Sequence, residues 1–152
     1  MTIQYLKKLQ NNPNLSDFPM EGISIEEIER LEQLYNRGKV FPKVLRELLF
    51  LAGKFCAVLD FSIYDSQEEM QAEERAELLE IFNVQIERPH FFVCLASHGM
   101  PVFMYLDEGN NPSMYQIRGQ PTQERYADHR LGSLDMLINH RITDSLNGKN
   151  PF

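Results

Sequence analysis

Cysteine is scarce. Cys56 and Cys94 are the only two in 152 residues. Both sit inside apolar runs, so two buried thiols in a reducing compartment account for them and no disulfide framework is expected. No apolar run approaches the roughly 20 residues that span a bilayer. The opening residues, MTIQYLKKLQNNPNLSDF, carry lysines after one short apolar group and hold no continuous apolar segment, so they do not read as a secretory signal. Cytoplasmic residence is the resulting expectation. Basic charge is in deficit, with 15 Lys and Arg against 22 Asp and Glu and a formal net charge of -7. Direct nucleic-acid binding is disfavoured, because phosphates require a basic surface. The acidity suits a basic partner, or it serves only to keep the chain dissolved.

Catalytic and ligand signatures are also missing. There is no CxxC, HExxH, P-loop or GxGxxG. His90, His98, His129 and His140 are scattered over a strand edge, a turn, a loop and a helix, with no two at ligand spacing. Cys94 with His98 or His90 is the one candidate thiolate–imidazole pair, but an interior strand position predicts a structural thiol. Asp128, His129 and Arg130 are adjacent in an extended loop and do not converge on a point. Glu73, Glu77 and Glu80 share a helix face without the histidine that metal-binding carboxylate helices usually add. A non-catalytic chain without metal or cofactor is expected.

What is present reads as one α+β domain over residues 1–152, mainly an antiparallel sheet packed against several helices, with 43% hydrophobic residues for its core. Ile23 to Gly53 is its organising stretch. Ser24 and Glu27 form a capping box, and Ile25, Ile28, Leu31, Leu34 and Tyr35 make a buried stripe, with Glu26, Glu27, Glu29, Arg30, Glu32 and Gln33 on the solvated side. Arg37 and Gly38 end that helix. Pro42 suits the first turn of a second helix, whose stripe is Val44, Leu45, Leu48, Leu49 and Ala52 and whose C′ residue is Gly53.

Around this pair, residues 1–19 read as a short helix or flap built on Ile3, Leu6 and Leu9. Phe55 to Phe61 is rich in strand formers and predicts a buried strand. Ser66 and Glu69 open a long acidic helix to Asn83, with Met70, Ala76, Leu78, Leu79 and Phe82 for its buried side and only Arg75 to offset its acids. Phe91 to Ala96 and Pro101 to Leu106 flank Ser97 to Met100 as a hairpin, and Met114 to Arg118 adds a third strand. Pro121 to Arg130 has no period and reads as loop. Ser133 caps a closing helix with Leu134, Leu137, Ile138 and Ile142 on one face, and Asn147 to Phe152 form a tail.

The order of Ile28, Leu31 and Glu32 on one helix, Pro42 at the step, Leu45, Leu48 and Leu49 on the next, and a closing Gly53 resembles the SUKH superfamily of bacterial immunity proteins, related to the yeast Smi/Knr regulators. The closing Ser133-Leu134-Asp135-Met136-Leu137-Ile138 resembles the Ser-led last helix of that family, so the likeness covers about residues 20–146. The lack of tryptophan and the inserted acidic helix depart from its pattern. The resemblance implies a non-catalytic immunity protein that neutralises a cognate polymorphic toxin, often a basic nuclease or deaminase, in the cytosol. A Smi/Knr-like scaffold or regulatory binding module without a toxin is the alternative. For a basic partner, Glu68, Glu69, Glu73, Glu74, Glu77 and Glu80 form the first surface to consider, and a merely solvated helix face is the competing reading.

Overall fold

A capping box starts the central helix pair. In the computed structural model, which describes residues 1–128 and 131–152, Ser24 Oγ accepts from the Glu27 amide at 3.1 Å and the Glu27 carboxylate accepts from the Ser24 amide at 3.0 Å. Helix α2 (Ile25–Tyr35) follows, and positive φ at Arg37 and Gly38 then turns the chain back. Its stripe is rotated from the expected one. Leu34 is 50% exposed, whereas Glu32 is buried. The Glu32 carboxylate accepts from the Phe41 amide at 2.9 Å and lies 3.0 Å from Arg46 Nε, so it satisfies the turn into the next helix instead of facing water.

Helix α3 (Lys43–Ala52) buries Val44, Leu45, Leu48, Leu49 and Ala52, as the spacing predicts. Pro42 is its N-cap, with extended ψ of 138°, and not its first helical residue. Gly53 also has a different reason to be glycine: its φ is -68°, but a Cβ there would lie 2.5 Å from the Leu49 carbonyl oxygen. Gly22 is tighter still, since its Cβ would fall 1.7 Å from the Phe50 carbonyl oxygen. These two glycines let the segment before α2 lie on the end of α3, where the Ile23 amide donates to the Leu49 carbonyl and those of Lys54 and Phe55 to the Glu21 carbonyl.

Phe55 to Phe61 is not a strand. Phe55 and Asp60 make isolated bridges to Glu21 and Leu95, with a turn between them. Cys56, Val58 and Leu59 are buried nonetheless, and Arg141 Nη1 donates to the Val58 carbonyl at 2.9 Å. The apolar run thus reports burial and not β structure, an ambiguity that short apolar runs carry.

Strands β1 (His90–Leu95), β2 (Pro101–Tyr105) and β3 (Met114–Gln116) form an antiparallel meander in that order, with Phe92 opposite Phe103, which in turn faces Tyr115, and a register shift between Phe92 and Cys94. Both faces are covered, which explains why the strands read as unbroken apolar runs. Phe91, Val93, Val102, Met104 and Met114 point into the main core with α2, α3 and α5 (Leu134–Leu146). Phe92, Phe103 and Tyr105 form a second core with Met70 and Leu78 of α4 (Gln67–Phe82).

The first helix, α1 (Lys7–Gln10), is a single turn, and Ile3, Leu6 and Leu9 belong to the main core. This segment is held by Glu47 of α3, which is 0% exposed and accepts from the amides of Gln4, Tyr5 and Leu6 at 2.7, 2.8 and 2.9 Å. Ser133 is the N-cap of α5, but its hydroxyl donates to Asp135 at 2.5 Å and does not accept from the helix amides.

Candidate functional site

Helix α4 has two chemically different sides. Ser66 Oγ accepts from the Glu69 amide at 3.1 Å, but the Glu69 carboxylate turns to the Asp65 amide at 2.7 Å, so the expected capping box closes one residue early. Asn83, in the left-handed region at φ 54°, ends the helix.

The buried side is largely polar: Gln67, Gln71 and Glu74 accompany Met70 and Leu78, while the expected core residue Leu79 is exposed. The reason is the edge of the sheet. Gln71 exchanges two hydrogen bonds with the Phe92 backbone, and Arg75 Nη2 donates to the His90 carbonyl at 2.8 Å. Arg75 therefore does not offset the acids of its own helix. Its guanidinium lies between the rings of Tyr35 and Phe92 at 4.4 and 5.2 Å, and burial lowers its pKa to about 10.

The six glutamates separate accordingly. Glu74 is not a surface residue: it is buried and accepts from the Tyr64 hydroxyl at 2.8 Å, and desolvation raises its pKa against that bond. Glu68 is paired with Arg30 at 2.9 and 3.1 Å, which lowers its pKa. Glu69 is committed to the helix start. Glu73, Glu77 and Glu80 are exposed and, among the described residues, no cation lies within salt-bridge distance of them. At 100° per residue these three fall within about 60° of arc, and Glu69 borders them.

Two clefts share Lys54, the first at the N-terminal end of α4 and the second along the segment that leads to it. One, of about 420 Å³, is lined by Glu21, Glu27, Asp65 and Glu68 against Arg30 and Lys54. Lys54 is held by Glu21 at 2.6 Å. The other, of about 580 Å³, carries Phe18, Phe55 and Phe61 with Asp17 and Asp60. Phe18 is exposed and stands edge-on to Phe55 at 6.2 Å. Neither cleft was legible in the sequence, since each is assembled from segments that carry no shared motif.

The structure does not bring the cysteine and histidine candidates together. Cys94 lies in the main core, where burial pushes its thiol up to about 12. His90 faces the opposite side against Phe92 and Phe103, and His98 is bonded to Gln116 in the hairpin turn. Of the triplet from Asp128, residues 129 and 130 lie outside the described residues. Among the described residues no three His, Cys, Asp or Glu side chains are grouped to hold a metal ion, and no helix is long and apolar enough to cross a membrane. No protein-family model, curated protein or solved structure matches the chain.

Proposed function

We propose that this chain is a non-catalytic immunity protein of the SUKH kind, which neutralises a cognate polymorphic toxin in the cytoplasm by docking a basic surface of that toxin against α4. The observation that supports this is the strip Glu73, Glu77 and Glu80: three exposed carboxylates on one helix face with, among the described residues, no cation within salt-bridge distance. Exposed charge of one sign speeds encounter with an oppositely charged partner and orients it. The acidic cleft at the same helix's N-terminal end, with the aromatic cleft that shares Lys54, would supply the short-range contacts that charge alone does not.

Co-expression with any toxin domain found encoded beside this chain tests the reading. Restored growth, together with a stable complex whose association slows as salt rises, is expected. Failure of the intact protein to protect against that toxin overturns the pairing. Binding to a resident cellular protein without any protection would favour the Smi/Knr-like scaffold instead.

A further inference from the structure

Between the C-terminal half of α4, residues 84–86 and the start of β1 lies a pocket of about 280 Å³, walled by Leu78, Leu79, Val84 and Ile86 together with Arg75 and His90. Of its polar side chains, His90 is incompletely satisfied and Arg75 is hydrogen-bonded without an anionic partner. Arg75 donates through Nη1 to the Gln71 backbone and side-chain oxygens and through Nη2 to the His90 carbonyl, yet among the described residues no carboxylate lies within 4 Å of it. His90 is only 6% exposed. Its Nδ1 lies 2.8 Å from the Arg88 carbonyl and donates to it, which leaves Nε2 as a lone-pair acceptor, and that atom is buried without a partner. A buried orphan acceptor beside an unpaired cation is a costly arrangement that native structures keep for a reason.

We infer that this pocket binds a small organic acid, its carboxylate between Arg75 and His90 and its short alkyl body along Leu78, Leu79, Val84 and Ile86. Arg75 supplies the fixed positive charge and a donor. A carboxylate cannot donate to His90 Nε2, so binding takes up one proton from solvent onto that nitrogen, which then donates to the ligand. The charged group facing His90 is Arg75 from α4. Arg88 contributes its carbonyl, and the rings of Phe92 and Phe103 complete the surroundings. Desolvation and Arg75 favour neutral His90, and an anion between the two cations removes the repulsion. This inference is independent of the toxin-binding reading, because it concerns the side of α4 turned to the sheet.

Octanoate is a suitable probe, with octan-1-ol as the neutral control. Titration of the full chain followed by NMR is expected to give saturable shifts at the His90 ring and the Leu79 and Ile86 methyls, with octanol at least about tenfold weaker. Calorimetry in buffers of different ionisation enthalpy is expected to show net proton uptake, and affinity rises from about pH 8 to about pH 6. Leu79→Trp, at a half-exposed position, should fill the pocket and weaken octanoate at least about tenfold without unfolding the chain. Absence of saturable shifts, equal binding of octanol, binding without proton uptake, or wild-type affinity in Leu79→Trp would each overturn the assignment. If that variant does not fold, the comparison of octanoate with octanol in the native protein decides.

Discussion

Gln71 stands beside Phe92 as a neighbouring strand would: its Nε2 donates to the Phe92 carbonyl and its Oε1 accepts from the Phe92 amide, both at 2.8 Å. A single side-chain amide on α4 thus completes the backbone pairing at the edge of β1. Both groups are buried, so removing the amide strands one donor and one acceptor. Gln71→Ala is expected to cost about 2–6 kcal/mol, at roughly 1–3 kcal/mol for each unsatisfied group. Denaturant unfolding reads the loss. A midpoint equal to that of the native chain would mean that water replaces the amide.

Glu47 plays a comparable part for the amino-terminal segment. Its carboxylate accepts from three consecutive backbone amides and is inaccessible to solvent. Glu47→Ala is expected to destabilise by at least about 3 kcal/mol, at roughly 1–3 kcal/mol for each of the amides left without an acceptor. Amide exchange at Gln4, Tyr5 and Leu6 should accelerate more than exchange in β2. Uniform acceleration through both would show that the contact is not local.

The acids of α4 should respond differently according to what each touches. Replacing Glu73, Glu77 and Glu80 together by lysine leaves the fold intact, since all three are exposed, and should slow association with a basic partner. The effect weakens as added salt shortens the screening length below ~8 Å. Glu74→Lys, by contrast, forces a cation against Tyr64 in a buried site and should prevent folding or lower the melting temperature sharply. Stopped-flow association and circular dichroism separate the two outcomes. A triple variant with unchanged rate and salt dependence would assign those carboxylates to solubility.

His90 makes stability depend on pH in a definite direction. Burial, with Arg75 adding to it, lowers its pKa from the usual 6.5 to about 4. Between those values the unfolded chain binds a proton that the folded chain refuses, so stability is complete above about pH 6.5 and declines as the pH falls toward about 4. The loss reaches roughly 3 kcal/mol. Unfolding curves of the native chain and of His90→Phe at several pH values give the difference directly. Parallel curves would show that His90 titrates normally.

The sequence was most informative where one periodicity met one environment. All five apolar positions of α3 face the same core, and the apolar runs of β1 and β2 around a Gly99 turn left no competing arrangement. It was least informative where a polar residue serves distant backbone. Glu32, Glu47, Gln71 and Glu74 all look like solvent positions, because their partners at Phe41, Gln4 to Leu6, Phe92 and Tyr64 lie on other segments. Leu34 and Leu79 err the opposite way, apolar residues that the helix rotation leaves outside. For α4 the helix itself was legible from its capping residue and composition. Which face it buries was not, because the helix covers a strand edge whose needs are polar.

The far side of the sheet is closed as well. The Gln116 and Met114 carbonyls accept from the Asp128 and Leu131 amides, and Ser113 bridges to Ser133. With Gln71, Arg75 and Asp60 occupying the β1 side, neither border offers, among the described residues, a run of open backbone groups to an incoming chain. Strand addition, which reads mostly main chain and tolerates many sequences, therefore finds no open edge among the described residues. Recognition at these borders would be read through side chains. Its specificity can then be rewritten one surface residue at a time, with the β-sheet beneath left untouched.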